Sequence, residues 1–167
     1  MKGKVVVGVA TVLLIGVLAA AAGGGHSGRR TPTATTVPTD RAAFTFAANA
    51  ICRQFDTQAA AAAPSGNDLA SYAASLGSLI PLIDGARTDL AKLNPPSDGA
   101  AMLRAYVAFL GREVNSATAA RAAAAAGDQQ AFTAAMEGLL TGQEQPAGAL
   151  PPEMLAASKY GLTDCAR

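Results

Sequence analysis

Two cysteines are the side chains in this 167-residue chain whose type and placement most directly suggest chemistry. Cys52 falls in an alanine-rich stretch, and Cys165 lies 113 positions later. There is no C-x-x-C, and Arg53 is the sole cation beside either thiol, so a redox-active pair is not indicated. In an oxidising compartment the expected state is a structural disulfide between Cys52 and Cys165; in a reducing one it is two buried thiols. The single histidine, His26, sits in a Gly-rich segment, where it makes neither a metal site nor a general base. Metal centres need clustered His, Cys, Asp or Glu, and haem or di-iron ligation would need histidines that residues 40–167 lack. No D-x-D-x-D calcium loop and no Gly-rich phosphate loop appear. No cofactor is expected.

Hydroxyls and carboxylates complete the inventory. Ser71, Ser75 and Ser78 have no base within motif distance and read as helix-packing or solvated positions. Glu113, Glu137, Glu144 and Glu153 are dispersed. Paired carboxylates could serve glycoside hydrolysis, but Glu137 and Glu153 read as surface residues of amphipathic helices. Glu113 follows Tyr106 by seven residues and Leu110 by three, so it either approaches the buried stripe or is solvated at its edge; the latter is favoured. Asp84 with Arg87 and Asp89 with Lys92 are spaced as ion pairs on exposed helix. The expected catalytic set is therefore empty.

The N-terminus decides the compartment. Lys2 and Lys4 precede an apolar run from Val5 to Leu18, and Ala20-Ala21-Ala22 offers an A-x-A exit. This is the pattern of a secretory signal cleaved after Ala22. The competing reading is an uncleaved anchor, since residues 5–22 as helix would span roughly 27 Å. Both place the rest of the chain outside the cytoplasm, either secreted or in the cell envelope. Residues 23–39, rich in Gly, Thr and Pro, read as a disordered linker, with a glycosylated stalk as the less favoured version.

Four of the thirteen basic residues belong to the signal and linker. Residues 40–167 hold nine basic against twelve acidic residues, a net charge of −3 with the bases scattered. Nothing here favours nucleic acid or an anionic lipid surface, so membrane contact is expected only through residues 5–22.

The elements that must position these residues are helices. Asp40 caps a first one running to Ala63, with Phe44, Ala48, Ile51, Cys52 and Phe55 on one face. Asn67 or Asp68 caps a second, whose stripe runs from Leu69 to Leu93 and which Pro81 should kink or break. Ser97 or Asp98 opens a third, with Leu103, Tyr106, Leu110, Val114, Ala117 and Ala120 inward, ending at Gly127. Asp128 caps a fourth carrying Phe132, Met136, Leu139 and Leu140. Residues 142–150 read as a loop, and a short final helix from Pro151-Pro152 stops at Gly161. No stretch alternates long enough for a strand. The expected fold is all-α: an antiparallel bundle of four main helices plus a short C-terminal helix, closed by one disulfide.

The signal, the Thr/Pro linker, Ile51-Cys52, Leu93-Asn94-Pro95-Pro96, Ala126-Gly127-Asp128 and Tyr160-Gly161-Leu162-Thr163-Asp164-Cys165 together resemble small exported or lipoprotein-like helical proteins of high-GC actinobacteria. The resemblance covers most of residues 40–167 and implies no activity and no functional residue. This chain lacks the lipobox cysteine that acyl anchoring would need. The expected function is a non-enzymatic interaction or structural module with a protein or envelope component as partner. The alternatives are a carrier holding a small apolar ligand between helices near Pro81 and Tyr106, and a carboxylate-only hydrolase.

Overall fold

The structure is a computed structural model, and it describes residues 40–141 and 150–166, the side chains of Leu140 and Thr141 excepted. The expected signal or anchor, the linker, His26, Glu144 and most of the 142–150 loop lie outside the described residues. Those described form a helical bundle with no strand among them. Its helices are α1 (Arg41–Ala61), α2 (Leu69–Ala91), α3 (Ala100–Ala125), α4 (Gln129–Thr141) and α5 (Pro152–Tyr160), followed by a 3-10 turn at Asp164–Ala166.

Three helices start where a short acidic side chain can reach back. The carboxylates of Asp40, Asp68 and Asp128 accept from the backbone N–H of Ala43, Ser71 and Ala131, each three residues on. Each pairing satisfies one of the four donors a helix start leaves open. Two helices end on the same device. Gly127 and Gly161 have positive φ, 73° and 109°. The amides beyond them bond back, Asp128 N–H to Ala123 and Leu162 N–H to Ala157. Only glycine takes that left-handed turn cheaply.

Three expectations need correction. The first helix ends at Ala61, two residues short of the expected Ala63. The second runs through Pro81, so of the expected kink or break the break does not occur. Proline removes one helix donor there, and the Pro81 ring itself is exposed. The third is opened by neither Ser97 nor Asp98: its cap is Gly99, with no side-chain hydrogen bond. Asp98 is engaged elsewhere, accepting from the Tyr160 hydroxyl at 3.0 Å. A Cβ on Gly99 would come within 2.6 Å of that hydroxyl, so the α3 start and Tyr160 fit only because residue 99 is glycine.

The buried side chains form two clusters. One gathers Phe44, Ala48 and Cys52 of α1 with Leu90, Leu103, Tyr106, Ala157, Leu162 and Cys165. The other joins Leu76, Ala117, Ala120, Ala124 and Phe132, from α2, α3 and α4. Among the described residues α2 is the one helix long and apolar enough to cross a membrane. Its Leu76, Ile83 and Leu90 are buried against protein, as the apolar side of a packed helix would be.

Candidate functional site

The disulfide between Cys52 and Cys165 is formed, with Cα atoms 5.1 Å apart and both residues buried. Cys52 reaches it from the inward face of α1, in register with Phe44 and Ala48. Cys165 is brought back by the turn at Gly161, after which Leu162 is wholly buried. Polar contacts hold the returning segment along its length. Asn49 donates from Nδ2 to the Gly161 carbonyl, and its Oδ1 accepts from the Asp164 N–H, both at 3.0 Å. Arg53 pairs with the buried Asp164 carboxylate at 2.6 Å. The Tyr106 hydroxyl donates to the Cys165 carbonyl at 2.7 Å.

Tyr160 secures the same end from outside. The Arg41 guanidinium lies 4.2 Å from the centre of its ring and donates to its carbonyl. Phe44 meets the ring edge-on, with centroids 5.9 Å apart. One aromatic side chain thus ties α1, the start of α3 and the end of α5 together.

Beside the disulfide lies a partly open cavity of about 180 Å³. Phe55 and Asp56 of α1 border it, with Ile83, Ala86 and Leu90 of α2 opposite. Tyr106, Phe109, Leu110 and Glu113 come from α3, Met154 from α5, and Asp164 from the tail. Most of this lining is carbon. An apolar space of roughly 150 Å³ in a protein core accepts a benzene-sized guest, whereas drug-sized ligands need roughly 300 Å³ or more.

Glu113 differs from the favoured expectation of a solvated edge residue. It is half-buried on the Tyr106 face of α3 and borders the cavity. Burial pushes its carboxyl up to about 7; neighbouring Arg112 pulls it down and Glu153 adds to the rise. Glu153 is a second correction: its side chain is only 16% exposed and pairs with Arg112. Burial, with the negative charge of Asp56 secondary, also raises the Tyr106 phenol, which keeps it a neutral donor.

The remaining candidates fall where the sequence put them. Glu137 is exposed. Asp84–Arg87 and Asp89–Lys92 form ion pairs at 2.7 and 2.8 Å. Ser71 bonds to Asp68, Ser75 to the Ala62 carbonyl and Ser78 to the Ala74 carbonyl. Among the described residues no three His, Cys, Asp or Glu side chains gather closely enough to hold a metal ion.

Sequence reasoning missed Asn49, Arg53 and Asp164 as the polar clamp on the tail. Their separations, 111 to 115 positions for the Arg53 and Asn49 bonds to Asp164, exceed any local motif. The available signal was Cys165 itself: a bridge to Cys52 must bring residues 162–164 against the α1 turns on either side. Compared with protein-family models, curated proteins and solved structures, the chain matches none of them.

Proposed function

We propose that residues 40–167 form a non-enzymatic module that works outside the cytoplasm, secreted or held at the cell envelope by residues 5–22, and that binds a protein or envelope component or plays a structural part there. The observation that carries this reading is the buried Cys52–Cys165 bridge. Structural disulfides persist in oxidising compartments and are rare where thiols are kept reduced. The N-terminal pattern of charge, apolar run and small-residue exit argues in the same direction, as does the likeness of the flanking motifs to exported actinobacterial helical proteins. Short connections between α1, α2, α3 and α4 support an antiparallel order for the main helices.

The test is to block thiols during lysis of the native cell, recover the full chain from medium, envelope and cytosol, and map peptides without reductant. Export predicts the bridged Cys52–Cys165 peptide outside the cytosol, with crosslinking returning a defined envelope partner. Free thiols on chain recovered from the cytosol would overturn the reading.

The cavity favours a second reading, a carrier of a small apolar ligand. It lies against Tyr106, as the sequence suggested, and takes its α2 wall from Ile83 and Ala86, just beyond Pro81. Copurification of a stoichiometric small molecule with no protein partner would put this reading first.

A further inference from the structure

We propose that the cavity beside the disulfide binds a small organic cation, an ammonium group carried on an apolar moiety of about phenyl size. The inference rests on the carrier reading and adds a charge to its ligand. It starts from the imbalance of the lining. The walls are apolar, three carboxylates border them (Asp56, Glu113 and Asp164), and among the described residues neither lysine nor arginine does. Asp164 is neutralised by Arg53. Glu113 enters no hydrogen bond or ion pair among the described residues, because the adjacent guanidinium of Arg112 is taken by Glu153. Arg87, the other cation near this part of α3, is paired with Asp84.

A half-buried carboxylate with no hydrogen bond, eased only by the nearby charge of Arg112, raises the free energy of the folded state. A ligand that brings one positive charge to it and fills the apolar space removes that penalty. Tyr106, Phe109 and Phe55 add aromatic walls, which attract ammonium groups through the ring quadrupole. The size follows from the volume: about 180 Å³ admits one aromatic ring, near the roughly 150 Å³ that benzene occupies in a protein cavity. A neutral apolar guest would leave Glu113 unused. An anion would be repelled by the Glu113 carboxylate. A bare metal ion would find too few oxygen ligands among carbon walls.

Three probes of one shape separate the possibilities: benzylammonium, benzyl alcohol and benzoate, titrated into the full-length, disulfide-intact chain near pH 8 and followed by calorimetry and the methyl resonance of Met154. Benzylammonium should bind about tenfold tighter than the alcohol, as charge-assisted contacts are stronger than neutral ones, and benzoate should not bind. Glu113→Gln should lower the ammonium's affinity to about that of the alcohol, with an unchanged helical circular dichroism spectrum reporting that the variant is folded. Ala86→Leu should remove binding of both by filling the space. Lowering the pH to about 5 should shrink the ammonium's advantage, since protonating Glu113 removes the charge it meets. If alcohol and ammonium bind equally, or Glu113→Gln keeps the preference, the cation inference falls while the carrier reading stands. If none of the three binds, both fall.

Discussion

At one end of α2 and α3, Leu90, Leu103 and Tyr106 pack against Phe44, Cys52, Leu162 and Cys165. At the other, Leu76, Ala117, Ala120 and Ala124 pack against Phe132. The first cluster joins segments more than a hundred positions apart through a covalent bond, an ion pair and two side-chain hydrogen bonds from Asn49, and Tyr106 adds a third hydrogen bond to the tail across 59 positions. The second joins consecutive helices through short connections, and three of its five buried residues are alanines. Alanine lets helices approach closely but removes little apolar surface from water. The comparison teaches where each kind of contact is needed. Neighbours in sequence are held together by small residues because closing a short loop costs little entropy. Bringing residue 165 back to residue 52 costs more, and that end of the molecule carries the specific bonds.

The largest test of this contrast is removal of the bridge. Cys52→Ser with Cys165→Ser should cost about 3–4 kcal/mol, below the chain-entropy ceiling of roughly 4–5 for such a loop. Urea unfolding measures it. Hydrogen exchange should show the loss of protection concentrated at Leu162–Cys165, with α4 amides little changed. Equal loss at both ends would mean that the clusters form one cooperative unit and would break the comparison. Phe132→Ala should come next, at about 3 kcal/mol, because among the described residues Phe132 is the one buried side chain that α4 gives that cluster. Its exchange signature should be the reverse, with α4 opening while the bridged tail stays protected. The smallest effect sharpens the stapled end. The Glu113 carboxyl sits at about 7, above its ordinary 4.5. The folded state therefore binds its proton more tightly than the unfolded chain. That favours folding below about pH 4.5, and the benefit is lost as the pH rises through about 7. Glu113→Gln should remove this slope. It should gain about 1 kcal/mol over the parent near pH 8, a figure reduced for solvent screening because the group is only half-buried. Below about pH 4 the two chains should converge. Thermal unfolding across that range checks the sign.

The helices were legible in the sequence because their signals are local. Asp40, Asp68 and Asp128 each cap a donor three residues away, and Gly127 and Gly161 stop helices by their own conformation. The failures came where a distant residue competed for a local one. Asp98 had the right type and position to cap α3, but Tyr160, 62 positions on, takes its carboxylate. Glu153 had the spacing of a surface residue, and Arg112, 41 positions back, draws it in. The disulfide was readable because just two cysteines exist to pair. The cavity was only partly readable: Tyr106 marked its neighbourhood, but its charge depends on which cations are already engaged, and that is a property of the folded surface.

The 113-residue interval between the bridged cysteines also sets a timetable. A chain synthesised from its N-terminus presents Cys52 before Cys165 exists. Through that interval α1 to α4 must hold themselves by side-chain packing, while the Cys52 thiol has no partner in its own chain. Within one molecule there is a single way to pair two cysteines, so reshuffling by an isomerase has nothing to correct. The hazard lies between molecules, where two early Cys52 thiols can join head to head. The local concentration of unfinished chains then bears directly on how much of the product forms the Cys52–Cys165 bridge.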